Sequence, residues 1–188
     1  MTVPNRKWIL NGVFVLVVLV LLFTPLGFKI KVFASKLLST SAAMVKEGRQ
    51  VSLDSYQWKL TDLDNGTFDF EAQRGKVILV NFWATWCPPC VAEMPSMQEL
   101  YNDYGDKVTF MFVTSDDRNK VEDFLKRKKL DLPVYYPLSE TPATLKTKLL
   151  PTTYIIDGEG KIVVAETGAA DWNSSKTRKL IDGLLSPQ

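Results

Sequence analysis

The chain has 188 residues, 46% hydrophobic and 11% aromatic, enough for one sizeable core and short for two. Its 23 Lys and Arg against 21 Asp and Glu leave a net charge of +2, which gives no electrostatic case for nucleic acid or a strongly acidic partner. Histidine is absent, so the commonest metal ligand and every Ser-His or Cys-His catalytic pair are excluded, and acid-base work falls to carboxylates, Lys, Tyr or thiols.

From Trp8 to Phe28 the chain reads WILNGVFVLVVLVLLFTPLGF, without a charge. At the helical rise those residues cover about 30 Å, enough to span a bilayer. Val32-Phe33-Ala34 imitates a small-x-small cleavage site, but the apolar core is longer than that of a signal peptide and Lys29 and Lys31 intervene, so an uncleaved single-pass anchor is expected. Arg6 and Lys7 before the span are balanced by Lys29, Lys31 and Lys36 after it, and the positive-inside rule sets no orientation. Residues 1–28 are thus expected to be tail and anchor. Residues 29–50 follow, with Ile30, Phe33, Leu37 and Leu38 near helical spacing before small and polar residues take over; a plain tether is expected there, with a surface-lying amphipathic stub as the alternative.

Residues 51–188 form the expected working domain, without repeats or low-complexity tracts. Trp58–Thr61 and Thr67–Phe70 flank Asp64-Asn65-Gly66, a hairpin signal. VILVNFW at 77–83 has the length and β-branched character of a buried central strand. Apolar residues at Val91, Met94, Met97, Leu100 and Tyr104 predict a helix over 88–104, kinked at Pro95. VTFMFV at 108–113 predicts the next strand, and Asp116-Asp117 can cap a helix whose Val121, Phe124 and Leu125 face inward. KRKK at 126–129 belongs to the last turn of that helix, where cations oppose the negative dipole end. An extended segment at 133–137, a short helix opened by Thr141-Pro142, a hairpin of 152–157 with 161–167, and a helix over 174–185 complete the order.

The only two cysteines lie in NFWATWCPPCVAEMP, residues 81–95. A structural zinc site needs four ligands where this chain offers two sulfurs and no imidazole. A stapling disulfide would close so short a ring that loop-closure entropy contributes only about 2 kcal/mol. If the strand ends near Trp83 and the helix starts at Pro88, Cys87 is the N-cap, where the positive dipole end stabilises a thiolate. Pro88 and Pro89 supply no N–H, so the nearest donor to the Cys87 sulfur is the amide of Cys90. Cys87 is expected to be the exposed nucleophile and Cys90 the more buried resolving thiol, poised to attack a mixed disulfide.

ILVNFWATWCPPCVAEMP, together with LPTTYIIDGEGKIV at 150–163, resembles the thioredoxin superfamily, and within it the membrane-anchored TlpA/ResA-like thiol-disulfide oxidoreductases. The resemblance covers roughly residues 51–185. It implies an α/β, thioredoxin-like fold, with a central mixed sheet flanked by helices and an N-terminal β-hairpin extension, behind a single transmembrane helix. Trp86, Cys87, Pro88, Pro89 and Cys90 match the family's W-C-x-x-C centre, and Pro95 its kinking proline. Pro151 matches the cis-proline beside the disulfide, the alternative being a trans proline at an edge. Leu150 before it would then offer backbone groups to an incoming peptide, so that Trp86, Pro88, Pro89, Leu150 and Pro151 are the implied substrate-binding residues. Asn81 replaces the buried acid of cytosolic thioredoxins and cannot exchange a proton. Glu93, three residues after Cys90 on the same helix, is the implied catalytic carboxyl with Cys87 and Cys90; otherwise it is a solvated helix residue.

The resemblance further implies a reductant of extracytoplasmic protein disulfides, in cytochrome c maturation or related assembly, recharged by an upstream membrane thiol donor. It implies a monomer on the outer face of the cell membrane with no cofactor or metal beyond the Cys87–Cys90 redox disulfide. A thiol oxidant remains open, because CxxC proteins span about −120 to −270 mV, or about 7 kcal/mol for two electrons. A thiol peroxidase of the same fold would carry Thr three positions before its reactive Cys, whereas Thr85 is two before Cys87 and Ala84 holds the third place. A non-enzymatic adaptor or metal-handling module is the alternative of another class.

Overall fold

The computed structural model describes residues 6–41, 45 and 50–186. The first five residues of the expected tail, 42–44 and 46–49 of the expected tether, and 187–188 of the expected domain lie outside the described residues.

Helix α1 (Arg6–Phe23) carries no charge after Lys7, buries none of its residues, and is long and apolar enough to cross a membrane by length and composition. The expected uninterrupted span of Trp8–Phe28 breaks at Thr24. Pro25 has no N–H to continue the α1 ladder and disfavours helical geometry in the residue before it. Thr24 is accordingly extended, with φ −109° and ψ 155°, and its hydroxyl accepts from the Gly27 amide at 3.2 Å to cap helix α2 (Pro25–Leu38).

Over residues 29–38, where the sequence predicts a plain tether with an amphipathic stub as the alternative, the chain is helical. Phe28 and Val32, one turn apart, pack against the domain core, and the small polar residues that suggested a tether begin only after Leu38. Strand β1 (Thr40–Ser41) then pairs in parallel with β10 (Ala170–Asp171).

The main sheet holds the other eight strands: β2 (Val51–Ser52), β3 (Lys59–Asp62), β4 (Thr67–Asp69), β5 (Ile78–Phe82), β6 (Thr109–Val113), β7 (Val134–Pro137), β8 (Thr152–Ile156) and β9 (Lys161–Thr167). Their spatial order is β2-β9-β8-β5-β6-β7-β3-β4. The expected hairpin is present as antiparallel β3–β4, with Asn65 at φ 64° in the turn, and it extends the sheet beyond β7. β5 is central, parallel to β6 and antiparallel to β8, which makes the sheet mixed. Helices α3 (Pro88–Tyr104), α4 (Arg118–Lys128) and α5 (Ser175–Leu185) begin on the caps Cys87, Asp117 and Ser174. The short helix expected after Pro142 is a single 3-10 turn over Ala143–Leu145.

The pleat of β5 sorts its side chains between two cores. Ile78 and Val80 join Trp58, Leu60, Phe70, Met111 and Ile156 on one face. Leu79 joins Phe110, Phe112 and Ile155 on the other, under α3 and α4 through Met94, Met97, Leu100, Val121 and Phe124. Asn81, two residues after Leu79, is thereby directed towards α3. That register builds the site.

Candidate active site

After β5 the chain turns through residues 83–87 into α3. The Trp83 amide donates to the Val113 carbonyl at 3.1 Å, and the Cys87 amide to the Ala84 carbonyl at 3.3 Å. Thr85 is fastened to Asp116, its amide donating at 3.1 Å and its hydroxyl at 2.5 Å. Burial raises the proton affinity of Asp116, but the bonds from Thr85 and from the Asp117 amide outweigh it and hold the carboxyl below its ordinary value. The hydroxyl of Thr85 is thus turned to a carboxylate across the loop.

Cys87 is the N-cap of α3, as the sequence predicts, and its sulfur accepts from the Cys90 amide at 3.3 Å. Pro88 and Pro89 fill the first two helical positions, where an N–H has no intrahelical partner. The two cysteines are joined in a disulfide. The expected exposure of Cys87 is not met: it is 3% exposed against 0% for Cys90, because the oxidised pair is folded into the core with Trp83, Ala84 and Val91. Trp86 is the residue that stands out, at 66% exposed.

Trp86 and Leu150 share a groove of about 350 Å³, which Phe82, Asp116 and Pro137 also line. The Leu150–Pro151 peptide is cis, Pro151 is buried, and its carbonyl accepts from the Gly168 amide at 2.9 Å. Among the described residues no hydrogen bond involves the N–H or C=O of Leu150, which leaves both groups free to pair with another strand.

Glu93 lies on α3 one turn beyond Cys90 and is 2% exposed, so it is not a solvated helix residue. One carboxylate oxygen accepts from Asn81 Nδ2 at 2.8 Å; the other accepts from Trp172 Nε1 at 2.9 Å and from the Ala170 amide at 3.3 Å. Asn81 Nδ2 also donates to the Thr153 hydroxyl at 2.8 Å, across the β5–β8 pair. Burial pushes the Glu93 carboxyl up to about 7, against the opposing pull of the bonds from Trp172, Asn81 and the Ala170 amide. These described bonds run to nitrogen and none to sulfur. The carboxyl is thus held by a frame of donors on β5, β10 and the residue after it rather than by the cysteines themselves.

The Redoxin family matches residues 40–181. The chain belongs to that family. It is a ResA-like thiol-disulfide oxidoreductase of the thioredoxin superfamily: it is 32% identical over 143 residues to the thiol-disulfide oxidoreductase ResA of Bacillus cereus, covering 74% of this chain and 79% of that protein. The thioredoxin-like protein YneN of Bacillus subtilis is 34% identical over 122 residues, 63% of this chain and 69% of the relative. Among solved structures, a DsbF homologue from Corynebacterium diphtheriae superposes with a TM-score of 0.61 at 22% identity, over 77% of this chain and 94% of its own. A thioredoxin-family thiol:disulfide interchange protein from Chlorobium tepidum gives 0.54 at 22%, over 79% and 97%. These two bear on the fold, which is thioredoxin-like.

Cys87, Cys90, Glu93 and Asn81 all stand out in the sequence, but the other donors to the Glu93 carboxyl, Trp172 and the Ala170 amide, do not. Trp172 lies in the polar stretch AADWNSS with no periodic neighbours, yet is 0% exposed. A lone tryptophan among polar residues was its only signal. The Thr85–Asp116 bond spans 31 positions and left none.

Proposed function

We propose that this oxidoreductase is a membrane-tethered reductant of disulfides in extracytoplasmic proteins, acting in cytochrome c maturation or related assembly. The reading divides the chain into an anchor (1–28), a connecting segment (29–50) and a catalytic domain (51–188), with α1 as the anchor. The observation that carries the chemistry is the Cys87–Cys90 disulfide at the N-cap of α3.

In the reduced protein the Cys87 thiolate attacks a substrate disulfide, forming a mixed disulfide and expelling one substrate thiolate. Cys90 gives its proton to the Glu93 carboxylate, and its thiolate attacks the Cys87 sulfur. The second substrate thiolate leaves, the Cys87–Cys90 disulfide forms, and two electrons have passed to the substrate. An upstream membrane dithiol returns them, and the cycle uses no cofactor. Trp86, Pro88, Pro89, Leu150 and Pro151 line the approach, the free N–H and C=O of Leu150 pairing with the substrate backbone while Trp86 covers it. One copy of the chain contains every group this cycle uses, which supports action as a monomer.

Two features support the reductant direction. A CxxC protein is strongly oxidising when its reduced form is stabilised as a thiolate. Here Pro88 and Pro89 withdraw two N–H donors from the Cys87 sulfur, and the Glu93 carboxylate, one turn from Cys90, opposes negative charge on the pair. Disulfides persist mainly outside the cytoplasm, which supports that side for the substrates. ResA-like kinship supports the pathway. Redox titration of the full chain in lipid nanodiscs against dithiothreitol and glutathione buffers tests the proposal: a potential near or below about −270 mV is expected, and one near about −120 mV overturns it in favour of a thiol oxidant.

A further inference from the structure

Helix α2 has two apolar faces, and the domain covers only one. Phe28 and Val32 are half-buried against the domain core, beside Val91 and Met94 of α3. On the other side Leu26, Ile30, Phe33 and Leu37 are 59%, 45%, 64% and 71% exposed. At 3.6 residues per turn these four project within roughly 60° of one another, centred about 150° around the helix from Phe28 and Val32, with Phe33 at the edge that borders the groove those two line. The stripe continues past Lys29 and Lys36 into an apolar groove of about 270 Å³ against Val91, Met94 and Phe124.

The chain itself indicates what covers the stripe. Only Thr24 separates α1 from α2, and the joint is closed: the Thr24 hydroxyl donates to the Val20 carbonyl at 2.7 Å and accepts from the Gly27 amide at 3.2 Å. Gly27 is buried under the end of α1, where an added Cβ would stand 2.4 Å from the Leu21 carbonyl oxygen and 2.6 Å from that of Val20. With α1 across the bilayer, α2 starts at the membrane boundary and has no slack with which to leave it. Lys29 and Lys36 border the stripe on long stems that can reach the headgroups while the stripe enters the acyl boundary.

We propose that α2 lies along the membrane surface with Leu26, Ile30, Phe33 and Leu37 in the lipid interface, and that its opposite face fixes α3, with the Cys87–Cys90 pair at its N-terminus, in one orientation to the bilayer. The proposal rests on α1 spanning the membrane. It makes the segment a two-sided wedge, so that the site meets partners at a set height above the lipid instead of sweeping the volume a tether would allow.

The test places the photo-crosslinker p-benzoylphenylalanine at Phe14, Phe28 or Phe33, one at a time, in the full chain in nanodiscs of phosphatidylethanolamine and phosphatidylglycerol, with adducts identified by mass spectrometry. Phe33 is expected to give lipid adducts as Phe14 does, while Phe28 gives crosslinks within the chain to α3. Ile30 repeats the measurement on the same face should the Phe33 variant fail to fold. Lipid adducts at Phe14 with none at Phe33 or Ile30 overturn the interfacial placement alone. Adducts of twice the chain mass at Phe33 overturn it in favour of a second copy on the stripe. Absence of lipid adducts at Phe14 removes the spanning helix and the proposal with it.

Discussion

Glu93 shows what one buried carboxyl costs and what it supplies. Three donors hold it ionisable, yet burial keeps its pKa at about 7 against an ordinary value of 4.5. Between those values the folded state retains a proton that the unfolded state has lost. The stability tied to this group is therefore complete below about pH 4.5 and is lost as pH rises through about 7, a change of about 3 kcal/mol. Glu93→Gln is expected to flatten the fall in thermal midpoint between pH 4.5 and 7.5 that the parent protein shows, a comparison that thermal unfolding in a pH series makes directly. At this scale the sequence was legible where chemistry is local. Cys87, Cys90 and the intervening prolines are four consecutive residues, and capping rules place the sulfur and its amide donor. Glu93 could be named from its place one turn after Cys90, but its burial depends on Asn81, Ala170 and Trp172, which are 12, 77 and 79 positions away.

Among the elements, the helices that begin on a strong cap were read to within a residue. Asp117 accepts from the Lys120 amide at 3.1 Å and starts α4; Ser174 accepts from the Thr177 amide at 3.3 Å and starts α5. Each satisfies a donor that the helix cannot use internally. Asp117→Ala is expected to cost about 1 kcal/mol, a drop of roughly 2–4 °C in the thermal midpoint measured by thermal unfolding. The N-terminal helices α1 and α2 are less legible in the sequence for a related reason. The charge-free stretch from Trp8 to Phe28 has the length of one span, whereas one Thr-Pro dipeptide divides it into two helices. The exposed stripe on α2 looked like a feeble amphipathic signal because its second apolar face, Phe28 and Val32, spoils the pattern that a helix with one wet face would show.

For the molecule as a whole, the disulfide contributes little to holding the fold. Eight strands in one sheet and apolar cores on both its faces carry that load, and the ring between Cys87 and Cys90 closes over a separation of only 3 residues. Reduction with dithiothreitol is expected to lower the thermal midpoint by no more than about 4–8 °C, the equivalent of about 2 kcal/mol, with unchanged far-ultraviolet circular dichroism. A protein that must open this bond in every cycle needs a fold that survives opening it. By itself the amino-acid sequence determined the order of the longer strands and helices from β3 to α5, the central strand, the hairpins, the capped dithiol and the kinship with thioredoxin-like oxidoreductases, because periodicity, caps and turns act over a few residues; the two-residue strands β1, β2 and β10 carry no such signal. Only the tertiary structure decided that Cys87 is enclosed when oxidised, that Glu93 is framed by Trp172 and Asn81, and that residues 25–38 form a helix docked on α3. Each of these depends on which side chains meet across the sheet or between helices far apart in the chain, and burial, the physical quantity that sets them, is a property of the assembled core.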